Sequence, residues 1–510
     1  MKLLKENIHY LLFLSAVFFL WNPAKFPVDD GYFYPQIAYN MVRNGFMGFN
    51  DLYLTNGFHP LWMVFCVIAE AINFLGKSFS VYILWFFQVI FIIAGYRFFE
   101  KTLFKDSVSG KVLSLALYCL IFFSLGSLYL TEAHLTFFTI AWLLYFLCKR
   151  YTNDFLFGFI CSLVFLARLD HIFIIIPLGF LYWKHRDWNF QSISKVILGF
   201  LLLAGPYLFS NQYLFGDMVP VSGRIKSSFP KANLDDPFGL LPDLFLFVGS
   251  AYLIFLIFTK NIHYRSVKIL FISGSFIHLL YNVFFQSYTG QWYFVSQFIF
   301  CGFFINDIVE KFQLRIVPAR SKFIIYSLGS TFFLCTIGVL KLKTNLSIFH
   351  NVFDDKSKFE KKTKDLVKNL AEDLVKVVPR KSRIYVYDFP GKFAFYSDFN
   401  FIPADALVAN STFFNEINTL RFKDYLKKNK INYMLFPSQL EKGRDSITFM
   451  GMDVKKKNNR NMFYFRNTLS KKVIDSLDEN ELIKVKTYLN PAKTWQAQYD
   501  SVTIYKLKEK

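Results

Sequence analysis

The sequence predicts a polytopic α-helical membrane protein with a soluble α/β domain at its C-terminal end. Composition is the first observation. Of 510 residues, 54% are hydrophobic and 20% aromatic, including 66 Phe, and ordinary soluble chains hold only about 45–50% apolar residues. Second, the apolar residues fall in long blocks, as membrane spans require. Third, the net charge of +21 is unevenly placed. Residues 341–510 hold 33 Lys and Arg against 20 Asp and Glu, a balance of +13, and the first 340 residues hold the remaining +8. The C-terminal third is therefore basic, with anionic headgroups or phosphorylated substrates as its natural neighbours. Nucleic acid is not an expected partner, because no nucleic-acid motif is present. The cysteines, Cys66, Cys119, Cys148, Cys161, Cys301 and Cys335, all lie in apolar stretches. They have no disulfide or zinc spacing and read as small core residues.

The first apolar stretch, about residues 8–22, lacks a small-residue cleavage site and runs into Trp21-Asn22-Pro23. It reads as an uncleaved anchor. An amphipathic stretch at 33–43 follows. Lys and Arg gather at cytoplasmic ends, and the basic loops are Arg97–Lys111, Lys149-Arg150, Lys184–Arg186, Lys260–Lys268 and Lys311–Lys322. Between them fall paired spans at 112–130 and 133–148, 155–167 and 172–183, 193–210 and 238–259, and 269–287 and 291–308. A last span covers 323–340. Two apolar stretches, 60–75 and 79–96, separate Asp29, expected outside, from Arg97, expected inside. Only one can cross. The first contains Glu70, opens with His59-Pro60 and is short, so it is predicted to be interfacial or re-entrant. The second is uncharged and long enough to span. This gives about eleven transmembrane helices. Some are shorter than the ~20 residues of a full crossing, which is tolerated where backbone lines a cavity.

The membrane domain is assigned to residues 1–344 and the soluble domain to 345–510. Lys356–Lys376 and about 417–429 have helical character, whereas Arg383–Tyr387 and Ile431–Phe436 read as strands. This alternation predicts a small α/β domain.

The same parity places every notable polar cluster on one face. These are Asp29-Asp30, Thr55-Asn56-Gly57-Phe58-His59, Glu132-Ala133-His134, Arg168-Leu169-Asp170-His171, Arg224 with Lys226, and Gln291-Trp292-Tyr293. Each alone has a plain structural explanation. Arg168 can pair with Asp170, His59 can cap a helix, Asp29-Asp30 can form an N-cap, and Lys226 can be a solvated charge. Their shared sidedness is the stronger signal, since charges at span ends usually mark function or pairing. Such a set suits glycosyl transfer from a lipid-phosphate sugar. A carboxylate acts as general base on the acceptor hydroxyl, and a second favours an oxocarbenium-like transition state. Arg or Lys receives the leaving phosphate. Trp292 and Tyr293 offer stacking surfaces for sugar or lipid.

Asp29-Asp30-Gly31-Tyr32-Phe33-Tyr34, followed by Thr55-Asn56-Gly57-Phe58-His59-Pro60-Leu61-Trp62, resembles the first external loop of bacterial GT-C superfamily glycosyltransferases. These are relatives of protein O-mannosyltransferases and aminoarabinose transferases that use polyprenyl-phosphate sugars. The resemblance implies that Asp29, with Asp30 beside it, is the catalytic base, and that Glu132 is the acid of the second external loop. Leu166-Ala167-Arg168-Leu169-Asp170 resembles a recurrent Ala-Arg-x-Asp element, and Phe215–Lys226 a loop ending in a basic residue. Tyr387-Asp388-Phe389-Pro390-Gly391 and Pro403-Ala404-Asp405-Ala406-Leu407-Val408 resemble the periplasmic domain of that group. Gln291 stands where many relatives carry Arg or Lys.

The resulting expectation is a GT-C type glycosyltransferase in a bacterial inner membrane, multi-pass, with its C-terminal domain in the periplasm. It would move a sugar from a polyprenyl-phosphate carrier to a lipid, polysaccharide or protein acceptor. Asp29, Asp30 and Glu132 are the expected catalytic residues. His59, Arg168, Asp170, His171, Arg224, Lys226, Trp292 and Tyr293 are the expected substrate contacts. No cofactor is required, and a divalent metal is an option. The alternatives are a transporter or flippase of lipid-linked sugars and a membrane oligosaccharide ligase or polymerase.

Overall fold

A computed structural model describes residues 9, 10, 14, 29–104, 108–124, 128–227, 240–259, 261–286, 289–311, 366–387, 390–449, 451–466, 472–489 and 499–508. The expected spans at 8–22, almost entirely, and at 323–340 lie outside them, as do Cys335, the 344/345 boundary and Asp388-Phe389. The helical part runs α1 Asp29–Asn44, α2 Pro60–Ala71, α3 Ser80–Glu100, α4 Val108–Ser124, α5 Ala133–Cys148, α6 Asp154–Ala167 and α7 Ile172–His185. It continues through α8 Phe190–Phe215, α9 Val221–Lys226, α10 Leu240–Phe258, α11 Arg265–Phe285 and α12 Val295–Lys311. Among the described residues, five helical segments are long and apolar enough to cross a membrane: Lys77–Glu100, Phe190–Phe215, Leu241–Phe258, Arg265–Phe285 and Gln291–Lys311.

The shorter helices position the polar residues. Helices α5, α6 and α7 have 16, 14 and 14 residues, so they rise only about 21–24 Å, less than a bilayer core. Of the turns that join them, the one between α6 and α7 is buried at Arg168 and His171, whereas the one between α5 and α6, residues 149–153, is exposed. Helix α6 starts where the Asn153 side chain accepts from the Leu156 N–H at 2.9 Å, as an N-cap should. It stops at Arg168, whose extended backbone (φ −161°) breaks the helix before a 3-10 turn at Leu169–His171. Helices α6 and α8 touch through glycine. A Cβ on Gly158 would lie 1.9 Å from the Val196 carbonyl, and one on Gly199 would lie 2.1 Å from the Phe155 carbonyl. Small residues of this kind let helix backbones approach closely in membranes.

The C-terminal domain contains α13 Leu366–Leu374, β1 Arg383–Val386, α14 Pro390–Phe395, β2 Asn400–Pro403, α15 Ser411–Thr419 and α16 Phe422–Lys428. Seven strands follow: β3 Tyr433–Leu440, β4 Ser446–Thr448, β5 Met452–Lys457, β6 Arg460–Arg466, β7 Val473–Asp478, β8 Leu482–Leu489 and β9 Tyr499–Leu507. One mixed sheet has the order β2-β1-β3-β9-β8, with β1 parallel to β2 and β3, and a second, antiparallel sheet has the order β4-β5-β6-β7. The α/β character is as expected. The expected helix at 417–429 is two helices, because Leu420-Arg421 is extended (ψ 150° and 144°). The second sheet was not foreseen. Its strands are short and carry charged runs such as Lys455-Lys456-Lys457 that mask period-2 alternation.

One apolar core joins α1, α2 and the first loop to the C-terminal domain. Polar ties reinforce it. Tyr53 donates to Glu416 at 2.7 Å, Thr55 to the Ala409 carbonyl at 2.9 Å, and Arg383 pairs with Asp51 at 2.9 Å.

Helix α2 has only 12 residues. Its buried Glu70 pairs with Arg43 at 3.2 Å. His59 precedes it beside Glu132, while Lys77, just after it, donates to the Ala394 carbonyl of the C-terminal domain at 2.8 Å. Both ends thus sit on the side of the bundle that carries the C-terminal domain, which fits an interfacial helix. A cysteine at exposed Ser78 should react with an impermeant thiol reagent from the same membrane side as one at exposed Lys427, in a background without native cysteines. Labelling of the two from opposite sides would make 60–75 a true crossing.

Candidate active site

The residues singled out from the sequence converge at this end of the bundle. Glu132 immediately precedes α5 and is buried. Its Oε1 receives Arg168 Nη1 at 2.6 Å and lies 3.6 Å from His59 Nε2, and its Oε2 accepts from the Tyr34 hydroxyl at 2.9 Å. Arg168, also buried, pairs with Asp170 through Nε at 2.9 Å and Nη2 at 3.0 Å. Its guanidinium lies 3.8 Å over the Tyr293 ring. Such stacking suits arginine, which is planar and weakly hydrated. Lys226, at the end of α9, donates to the Tyr293 hydroxyl at 3.1 Å. Tyr293 is held by a 3-10 turn at Gln291–Phe294, where the Trp292 ring lies 5.9 Å from Tyr293.

The two leading aspartates diverge. Both fall in the first turn of α1, where the helix dipole favours acids. Asp29 turns to the C-terminal domain. Its two oxygens accept from the Gly391 N–H at 3.0 Å and the Lys392 N–H at 2.7 Å. It caps α14 and docks that domain. Gly391 is needed there, because a Cβ would sit 2.3 Å from the Asp29 carbonyl. Asp30 instead faces Lys226 and Glu132 electrostatically. Burial, aided by Glu132, raises its pKa above the ordinary carboxylate range, and Lys226 partly offsets this. For Lys226, burial opposes the charge, but Tyr293 and Asp30 outweigh it and hold the pKa above the ordinary lysine value.

Arg224 stands apart from this group. It is exposed and pairs with Asp217 at 2.9 Å, which also accepts from Ser411 at 2.6 Å. His59 does not cap α2 through its side chain. Burial lowers its pKa, with Glu132 acting against that. Among the described residues its Nδ1 has no hydrogen-bond partner, and neither does the buried amide of Asn56. Open polar groups of this kind invite a polar ligand.

Three members were not assigned a role from the sequence. Tyr34, four residues past Asp30, is one. His278, in the apolar run of α11, is the second, and its only sequence signal is a polar Asn282 one turn later. Asp405 is the third. It lies in the tight turn after β2, where Ala406 has φ +61° and the Leu407 N–H reaches Asp405 Oδ1 at 3.0 Å. This loop brings an acid of the soluble domain over the membrane site.

Burial, with help from Asp30, pushes the Asp405 pKa up to about 6. The unfolded carboxyl titrates near its ordinary value, so the folded state takes up a proton between these limits. Stability therefore falls as pH rises from about 4 to 6 and stays lowered above it. Asp405→Asn removes the cost of the buried charge. Its thermal stability in detergent should exceed that of the wild type by about 1–3 kcal/mol at pH 7.5, falling to about a third of that at pH 4.5. An equal difference at both pH values would exclude this titration.

Glu132 is held by Arg168, Tyr34 and His59, and Asp29 by backbone N–H groups of the soluble domain. The donors grouped for a metal among the described residues are Asp170, His171 and His278.

No family model and no curated protein matches the chain. Its architecture matches two crystal structures of ArnT from Cupriavidus metallidurans. The one bound to undecaprenyl phosphate aligns with a TM-score of 0.56 at 11% identity, covering 84% of this chain and 93% of that one. The apo structure aligns with a TM-score of 0.51 at 11% identity, covering 84% and 92%. The chain therefore has the fold of these ArnT structures.

Proposed function

We propose that this chain is a membrane glycosyltransferase that takes a sugar from a polyprenyl-phosphate carrier. It passes the sugar to an acceptor on the periplasmic face of a bacterial inner membrane. The observation that carries the reading is the opposition of Asp30 to Lys226 beneath the Asp405 loop, at the membrane end of a fold whose ArnT example holds undecaprenyl phosphate. Asp30 is the general base for the acceptor hydroxyl, favoured by its partly desolvated carboxylate. Lys226 is the ligand of the donor phosphate. Arg168 is less suited to that role, because Glu132 and Asp170 already engage its fork. Glu132 and Arg168 together hold the floor of the site, and Asn56 and His59 offer polar groups to sugar hydroxyls. Asp29 secures the soluble domain above it.

Binding of undecaprenyl phosphate to the purified protein tests this reading. A charge-assisted hydrogen bond contributes about 1.5–3 kcal/mol, so Lys226→Ala should weaken binding roughly 10–150-fold, with Lys226→Arg retaining most of it. Undiminished binding by a folded Lys226→Ala protein would remove the proposed phosphate ligand. Mass spectrometry of envelope glycans from a deletion strain then identifies the transferred sugar and its acceptor.

A further inference from the structure

We propose that Asp170, His171 and His278 form a binding site for one divalent transition-metal ion of the zinc class. The site lies where the turn between α6 and α7 meets α11. One donor atom from each residue lies within 4.8 Å of the others. His278 Nε2 is already 3.1 Å from Asp170 Oδ2, and the two imidazoles are 4.9 Å apart between centroids.

His171 makes the case for a ligand. The residue is wholly buried, and among the described residues neither of its ring nitrogens has a hydrogen-bond partner. A neutral imidazole has one N–H donor and one acceptor, and leaving such groups unpaired costs about 1–3 kcal/mol each. A metal ion satisfies the acceptor nitrogen directly. His278 is equally buried, and its ring is approached by Asn282 at 3.0 Å. Asp170 is held by Arg168, the kind of outer contact that orients metal-ligating carboxylates.

The donor set selects the ion. Two imidazoles and a carboxylate suit zinc and its neighbours, whereas magnesium and calcium prefer oxygen. Three protein ligands leave a fourth tetrahedral position open. Donors around zinc at about 2.0–2.1 Å lie roughly 3.3 Å apart, so the three side chains draw together on binding. Among the described residues, Asp30, Glu132 and Asp170 against Arg168 and Lys226 leave a net charge of −1 here, which attracts a divalent ion. The ion would tie α11 to the turn that carries Arg168. The site stands whether or not the chain transfers sugar.

The test reads metal and not transfer. The full-length protein is stripped with chelator, reloaded with Zn²⁺ or Co²⁺, and its bound metal measured. One equivalent is expected, with a rise in thermal stability by mass action. Co²⁺ should give tetrahedral visible bands without a thiolate charge-transfer band. X-ray absorption at the zinc edge of the wild type should show two imidazoles. His171→Ala or His278→Ala should lose more affinity than the about 10–100-fold typical of an outer contact. Should an alanine variant fail to fold, His171→Asn and the wild-type absorption spectrum carry the test. Less than stoichiometric binding, sulfur ligation, or wild-type affinity in a folded His171 variant would overturn the site.

Discussion

Asp30→Asn should lower turnover by ~10²–10⁴-fold, the usual contribution of a positioned general base, while leaving binding of undecaprenyl phosphate close to that of the wild type. The substitution keeps the size of the side chain and removes only the basic oxygen. The neighbouring Asp29→Asn should behave differently. Asp29 accepts two backbone N–H groups of the soluble domain, and an amide can replace one acceptor oxygen but not both. That variant should lose stability by about 1–3 kcal/mol, as a lost hydrogen bond to a charged group does, with a smaller fall in turnover once folded. The pH profile separates the roles. The base must be ionised to act, and burial raises the Asp30 pKa. Activity should therefore fall, as pH is lowered, at a pH above the ordinary carboxylate range. A profile unchanged in Asp30→Asn, or normal turnover by it, would return the role of base to Asp29.

Much of this site was legible because parity and sidedness are properties of sequence. Basic loops fix which ends of the spans face together, so Asp30, Glu132, Arg168, Lys226 and Tyr293 could be grouped without coordinates. Side-chain direction could not. Asp29 and Asp30 are adjacent, and one residue along a helix turns the side chain by about 100°, enough to send one to the soluble domain and the other to Lys226. Arg224 and Lys226 differ in the same way across a six-residue helix. His278 lies more than a hundred residues from His171, in a helix that reads as ordinary apolar span, so only packing brings the two together. The second sheet escaped for another reason. Its strands are held by antiparallel pairing of residues with charged, exposed flanks, and local pattern carries little of that.

Arg168→Ala should be the most destabilising single change in the site. The side chain is 2% exposed and joins two carboxylates, Glu132 at 1% and Asp170 at 14% exposure. Removing it leaves both without their guanidinium in a poorly solvated place. Breaking a buried pair in this way costs about 3–5 kcal/mol, a large part of a typical 5–15 kcal/mol total. Arg168→Lys should recover little, because an ammonium cannot bridge two carboxylates and lie flat on Tyr293 at once. The cost belongs mainly to the stranded acids, so neutralising them should relieve it. Arg168→Met combined with Glu132→Gln and Asp170→Asn should regain more than half of the lost stability, a strongly non-additive result expected of residues in one network. Thermal unfolding in detergent measures each step. If Arg168→Ala were as stable as the wild type yet bound undecaprenyl phosphate far more weakly, Arg168 would be a donor ligand, and the division of labour with Lys226 would have to be redrawn.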